Sequence, residues 1–262
     1  MKVVIFCGGL GTRLREHSDV TPKPLVNIGY RPIVWHLMRY YAYHGHKDFI
    51  LCLGYRGDLV KEYFLNYRET DSNDFTLRDG GRTIEPHNTD IDDWSITFAE
   101  TGMHANIGQR LLAVRHLVED EEMFLANYSD GLSDIPINQM IDEVKQKDAI
   151  ASFAAVRTWQ SFHAAKFDDD RFVSSLGELT DNDFWINGGF FVMRNAIFDY
   201  INDGDELVEE PFNRLIEQRK LLAYPYDGFW RAMDTFKDKI SFDRAYARGD
   251  APWELWNKKE HD

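Results

Sequence analysis

The chain is poor in cysteine: among 262 residues only Cys7 and Cys52 occur. Both lie in apolar, strand-like runs, so a disulfide framework is excluded as the basis of the fold, and buried reduced thiols are expected there. Basic residues are also scarce, with 30 Lys plus Arg against 44 Asp plus Glu and a formal net charge of -14. That balance disfavours a nucleic-acid-binding surface, and any anionic ligand has to be met by a local cluster of bases. No apolar run approaches the ~20 residues of a membrane span. Lys2 is followed by five apolar residues before the glycines, too few for a cleavable signal. The expected compartment is the cytoplasm, with neither nucleic acid nor membrane as a partner. Internal repeats, low-complexity tracts and Pro/Gly/Ser linkers are absent too, so one domain over 1–262 is expected.

What the chain does have is an apolar content of 44% with 28% charged residues, enough for a sizeable core. Its periodicity predicts strands at 2–7, 48–53, 94–100, 122–128, 149–156, 164–168, 172–177, 185–193 and 220–225. Helices are predicted at 32–44, 57–66, 109–116, 136–146, 195–202, 208–218 and 236–247. Strand and helix alternate through the first half, which implies an α/β fold: a Rossmann-like, mostly parallel sheet flanked by helices. From about 149 onward strands crowd together, as antiparallel additions beside the first half would. The polar stretch 69–93 reads as an excursion carrying a short hairpin.

The first strand, Val3 to Cys7, delivers the chain to Gly8-Gly9-Leu10-Gly11. Glycines there allow φ > 0 and close approach of a ligand. The spacing fits neither the dinucleotide G-x-G-x-x-G turn nor a Walker loop. Two bases make it specific. Arg13 stands two residues after Gly11, and Lys23 stands between Pro22 and Pro24, which hold it on a stiff arm. A guanidinium fork and an ammonium facing exposed amides form a triphosphate cradle. Asp130 ends the apolar strand in "FLANYSDGLSD", where a carboxylate points into the ligand crevice of an open α/β sheet. Asp130 also suits a turn before Gly131, and Asp234 in "GFWRAMDTFKDK" suits a helix N-cap.

With its glycine turn, Arg13 and Pro-Lys-Pro, the chain resembles the sugar-1-phosphate nucleotidyltransferases. The likeness runs over nearly its whole length and is strongest to the glucose-1-phosphate cytidylyltransferase branch, through "PIVWHLMRYYAYHGHKDFILCLGYRGDLVKEYFLNY", "INGGFFV", "FWRAMDT" and "APWELW". The resemblance implies a fold of the nucleotide-diphospho-sugar transferase type, with 1–148 mainly the nucleotide-binding half and 149–262 mainly the acceptor-binding half and C-terminal helices. It implies CTP, or another nucleoside triphosphate, wrapped by Gly8, Gly9, Gly11 and Thr12, with Arg13 on the leaving pyrophosphate and Lys23 near the α-phosphate. Tyr55, Thr101 and Arg110 match nucleotide-binding positions, Arg110 with a reach to the triphosphate. Asp130 and Asp234 correspond to the carboxylates that hold Mg²⁺, and Glu178 and Asn187 to contacts with the acceptor's hydroxyls. The branch is oligomeric, so a homo-oligomer is expected, with the aromatic-rich segment around Trp35 and the late tryptophans as candidate contacts.

One part of the family's pattern is missing. A Glu-Lys-Pro step, whose Lys grips the acceptor phosphate, reads Gly177-Glu178-Leu179-Thr180 here. Nearby, His163 stands where the branch has glycine and Lys166 where it has Asp, and Ser129 replaces a glycine before Asp130. The changes gather on one ligand and spare the other. The favoured expectation is therefore transfer of CMP from CTP to an altered phosphorylated acceptor, with Lys166 or His163 replacing the lost charge. The alternatives are an ordinary glucose-1-phosphate cytidylyltransferase and a nucleotide-binding protein without turnover.

Overall fold

The structure, a computed structural model, describes residues 1–9, 21–157, 163–178 and 184–257. Its strands are β1 (Lys2–Phe6), β2 (Asn27–Ile28), β3 (Arg31–Pro32), β4 (Asp48–Leu53), β5 (Phe75–Arg78), β6 (Thr83–Pro86), β7 (Ser95–Glu100), β8 (Met123–Tyr128), β9 (Gly131–Ser133), β10 (Ala151–Arg157), β11 (His163–Phe167), β12 (Val173–Glu178), β13 (Trp185–Asn187), β14 (Phe191–Arg194), β15 (Leu221–Tyr226) and β16 (Trp230–Ala232). The α-helices are α1 (Ile33–Tyr43), α2 (Gly57–Leu65), α3 (Ile107–Ala113), α4 (Arg115–Val118), α5 (Ile137–Gln146), α6 (Glu210–Glu217) and α7 (Phe236–Ala247).

The main sheet runs β7-β4-β1-β8-β14-β10, with β15 on the outer edge of β10 and β13 beside β14 along its inner edge. β1, β4, β7 and β8 are mutually parallel. β14 runs antiparallel to both β8 and β10, so β10 and β15 recover the direction of β8. The mostly parallel sheet is therefore as expected, and its antiparallel member is the segment after 185. Predicted as one strand over 185–193, it is broken by Gly189 (φ 77°) and Phe190 (φ 51°). The buried Asn127 side chain holds the break, accepting from Phe190 N at 3.0 Å and donating to the Tyr41 hydroxyl at 3.1 Å.

Alternate residues of the central strands face two cores. Val3, Ile5 and Cys7 pack with α1 and α5, while Val4, Phe6 and Cys52 pack with α3 and α6. A strand covered on both faces has no polar side to show, which is why β1 reads as a continuous apolar run. The predicted helix at 109–116 begins earlier, at an Asn106–Gln109 capping box, and breaks into α3 and α4. The predicted helix at 195–202 is a 3₁₀ segment, Asn195–Tyr200. The polar excursion carries the hairpin β5–β6, and Asp90 beneath it accepts from Ser72 Oγ at 2.7 Å and the Tyr67 hydroxyl at 3.1 Å. Among the described residues no helix is long and apolar enough to cross a membrane.

Where β1, β4 and β7 end, Arg110 joins them. Its guanidinium is 3% exposed and donates to Gly8 O at 3.0 Å, Leu53 O at 3.1 Å and Thr101 Oγ1 at 2.7 Å. The Thr101 hydroxyl donates in turn to Leu53 O at 2.8 Å. A Cβ on Gly8 would lie 2.1 Å from Arg110 Nη1, so glycine is needed there to seat the guanidinium. Neither Gly8 nor Gly9 has a positive φ, contrary to the expectation from their sequence, because close packing rather than a left-handed turn selects Gly8. Replacing Arg110 with Met removes the guanidinium donors from Gly8 O and Thr101 Oγ1 in a buried site, while Leu53 O keeps its bonds from Thr101, and a loss of about 2–4 kcal/mol in unfolding free energy is expected by urea titration. Gly8→Ala should lose stability through the same contact.

The C-terminal segment closes the other face. Trp253 is fully buried and donates through Nε1 to His36 Nδ1 at 3.3 Å, and Trp256 stacks edge-on with Trp35. His36 Nε2 faces Ile28 O at 3.0 Å, which assigns the ring proton to Nε2 and leaves the imidazole neutral. Glu254 Oε1 lies 3.6 Å from Nδ1, too far to displace that pairing. Of the α1 aromatics expected to make contacts between subunits, Trp35, Tyr40 and Tyr41 are buried within their own chain, while Tyr43 is exposed. Burial lowers the His36 pKa to about 4. The unfolded chain then binds one more proton than the folded one between about pH 4 and about pH 6.5, so stability rises with pH across that window. Unfolding free energy should fall by roughly 3 kcal/mol between pH 7 and pH 4 on this account, and His36→Gln should flatten that slope.

Candidate active site

Lys23 opens a 3₁₀ turn, Lys23–Leu25. Pro22 enters it extended, Pro24 is buried, and Leu25 N donates to Pro22 O at 2.8 Å. The proline pair thus fixes where the lysine stem begins, as its sequence setting implies. Ile33 N donates to Val26 O at 2.9 Å, so the turn is seated directly on the start of α1.

Asp130 follows β8, and β8 lies beside β1 at the point where strand order reverses. That reversal opens a crevice at the carboxyl ends of the strands. Asp234 reaches the same place by another route. β16 pairs antiparallel with β9, matching Ala232 with Gly131, and Met233 N then donates to Asp130 O at 2.8 Å. Strands of three residues carry too little periodicity to be read from sequence, and neither was predicted.

The N-cap of α7 is Thr235, in a capping box with Asp238. Asp234 is therefore not the cap, and its carboxylate is available to Lys23. Lys23 Nζ lies 2.6 Å from Asp130 Oδ2 and 2.8 Å from Asp234 Oδ1. Burial pulls the ammonium's pKa down, but the two carboxylates outweigh it and hold the pKa above the ordinary lysine value. The charge is retained across the physiological range.

Gly9 is exposed, and among the described residues a Cβ there would meet nothing within 4 Å. Gly11, Thr12 and Arg13 lie outside the described residues. Tyr55 is half-buried in the turn between β4 and α2. Thr101 is buried at the end of β7, next to Gly102 at φ 98°. Arg110 stands behind this wall, with its donors turned to protein oxygens.

Of the residues expected at the acceptor, Asn187 ends β13, and its Oδ1 accepts from Gly189 N at 2.9 Å, so it shapes the turn that breaks the strand. Burial pushes the Tyr128 phenol up to about 12, while its hydrogen bond with the Asn187 side chain pulls the other way. The backbone of β11–β12 pairs His163 with Glu178 and Lys166 with Ser175. Leu179 lies outside the described residues. Trp230, the first residue of β16, is one of the late tryptophans expected to pack on the domain or on a neighbouring subunit. Its Nε1 donates to Gly188 O at 2.8 Å and so ties the strand leading to Asp234 to the β13–β14 break.

Residues 2–247 match the nucleotidyl transferase family. The glucose-1-phosphate cytidylyltransferase of Salmonella typhi is 39% identical over 257 residues, covering 98% of this chain and 100% of that protein. The mannose-1-phosphate guanyltransferase of Candida albicans is 28% identical over 251 residues, covering 92% of this chain and 63% of that one. Among solved structures, a UDP-glucose pyrophosphorylase complexed with UDP-glucose superposes with a TM-score of 0.68 at 14% identity, covering 95% of this chain and 98% of that one. The sheet order, the crevice at its reversal and the sequence agree over nearly the whole length: the chain belongs to the nucleotidyl transferase family and is a nucleotidyltransferase.

Proposed function

We propose that this enzyme transfers CMP from CTP to a phosphorylated small-molecule acceptor other than glucose-1-phosphate, releasing pyrophosphate. One observation carries the transfer: Lys23 is held between Asp130 and Asp234 at the sheet's reversal point. CTP is favoured by the relative from Salmonella typhi, a cytidylyltransferase 39% identical over 98% of the chain. An acceptor phosphate oxygen attacks the α-phosphorus of CTP, a new P–O bond forms, and the bond to the β-phosphate oxygen breaks in line. The attacking oxygen is already ionised at neutral pH, so no general base is needed. Rate acceleration comes from alignment and charge neutralisation.

Lys23 supplies a fixed positive charge for the α-phosphoryl oxygens, and Arg13 one for the leaving pyrophosphate. Asp130 and Asp234 fit a divalent cation, because two hard carboxylate oxygens from different elements already converge on one positive charge. Among the described residues no group of three or more His, Cys, Asp and Glu could hold a metal, so phosphate oxygens and water would complete the coordination. Mg²⁺ bound there supplies further neutralisation of the phosphate charge. Gly8, Gly9, Gly11, Thr12, Tyr55 and Thr101 border the nucleotide, with Arg110 positioning the wall behind them.

Glu178, Asn187, Lys166 and His163 are assigned to the acceptor. The loss of lysine at Leu179 supports a changed acceptor, since an unpaired phosphate in a buried site is costly. The whole-length identity with the cytidylyltransferase supports the ordinary acceptor as the second reading. The β5–β6 hairpin exposes Leu77 opposite Ile84 and Phe75 opposite Pro86, an apolar face that supports a homo-oligomer.

Pyrophosphate release from CTP with Mg²⁺ should be measured against glucose-1-phosphate and a panel of other sugar, polyol and amino-alcohol phosphates and phosphonates. Turnover is expected with a panel member and not with glucose-1-phosphate. Normal glucose-1-phosphate turnover would return the enzyme to the ordinary reading, and silence across the panel despite CTP binding would remove the proposed reaction. With the best acceptor, Lys23→Met should lower kcat by about 10²–10³-fold, the scale of losing one charge-stabilising donor.

A further inference from the structure

The ammonium of Lys23 sits where a cation between Asp130 and Asp234 would sit. Its contacts of 2.6 Å and 2.8 Å occupy one oxygen of each carboxylate. The side chains of Lys23, Asp130 and Asp234 are 16%, 27% and 35% exposed, so the cluster is partly shielded from water yet open on one side. Asp238 does not compete for the ammonium, because its carboxylate accepts from Asp234 N at 3.1 Å and Thr235 N at 2.8 Å.

Charge counting shows what the arrangement does. Two carboxylates and one ammonium sum to one negative charge; without the ammonium the sum is two negative charges at close range. A divalent cation added to the complete cluster brings it to one positive charge, suited to an incoming polyphosphate. While Lys23 holds both oxygens, a free divalent cation has to displace it, and a bare polyphosphate meets a net negative cluster. The lysine stem starts from a fixed 3₁₀ turn but carries four flexible carbons, so Nζ can move by a few ångström without moving the backbone.

We propose that Lys23 is a placeholder cation: it neutralises Asp130 and Asp234 in the nucleotide-free enzyme and yields them to a divalent cation, which frees it for the nucleotide's phosphate. The inference rests on the metal-assisted reading above. It makes Lys23 a brake on metal binding in the resting enzyme as well as a participant in transfer. Metal and nucleotide therefore load together, and the enzyme is protected from taking up divalent cations unproductively.

The test is Mn²⁺ binding without nucleotide, followed by electron paramagnetic resonance of the free ion, for wild type, Lys23→Met and the double variant Lys23→Met/Asp234→Asn. Lys23→Met should bind Mn²⁺ at least tenfold more tightly than wild type, equivalent to about 1.4 kcal/mol. The double variant should lose that gain. Lys23→Met binding no more tightly than wild type would overturn the placeholder while leaving metal-assisted transfer standing. Mn²⁺ binding to neither protein, even with CTP, would remove the metal reading and the placeholder with it. Because two unpaired carboxylates could keep Lys23→Met from folding, reductive methylation of wild type gives a second readout. At Mn²⁺ concentrations that saturate its bound signal, Lys23 labelling should rise several-fold relative to Lys220, which pairs with Asp148 elsewhere. Unchanged Lys23 labelling would overturn the placeholder.

Discussion

The ion cluster of Lys23, Asp130 and Asp234 joins three parts of the chain, its ends 211 positions apart in sequence. In a partly buried ion cluster the cost of desolvation offsets much of the Coulomb gain, so this cluster does not hold the fold together. The fold holds the cluster: a proline-braced turn sets the lysine, the end of a central parallel strand sets one aspartate, and a three-residue ladder sets the other. Each support is backbone geometry, which tolerates little error. Such a constraint suits phosphoryl transfer, where misplaced charge is nearly as harmful as missing charge.

Inserting one antiparallel line, β13 and β14, between parallel strands has a consequence for both ligands. The insertion carries the break at Gly188, Gly189 and Phe190 to the crevice next to β8. At Gly188 a Cβ would come within 3.0 Å of Trp230 Nε1, so glycine is what lets the tryptophan reach the carbonyl. β16 then continues toward Asp234. The β13–β14 break and the strand leading to one of the two aspartates are thereby joined through the Trp230 contact.

The parallel half of the fold was legible because its signals are long. β4 falls on its predicted span, and α7 does as well. The signals failed where tertiary contacts outweigh local preference. Gly189 and Phe190 lie in an apolar run that reads as uninterrupted strand, and only the buried Asn127 amide reveals why the chain turns there. The site was legible as a set of residue types: Lys23, Asp130 and Asp234 were all singled out, and the structure brings them together. Its geometry was not, because the β9–β16 ladder is too short to leave a pattern. Arg110 was singled out by the resemblance, with a reach to the triphosphate, yet its guanidinium faces Gly8 and Leu53 carbonyls that any sequence would supply. Backbone acceptors leave no trace in residue identity.

α7 explains how a lysine near one end of the chain and an aspartate near the other are kept in register. Asp234 immediately precedes its capping box, so the helix start fixes that carboxylate. Near the far end of the same helix, Tyr246 lies against Gly29, where a Cβ would fall 2.1 Å from the ring and where φ is +60°. Gly29 belongs to the β2–β3 turn that directly follows the Lys23 segment and leads into α1. The helix thus grips both partners of the ion pair, one at each end, with Trp253 packed behind it on Phe242 and His36. A rigid helix converts two loop positions into one fixed distance, which is how a cluster assembled from short, irregular segments becomes a defined site.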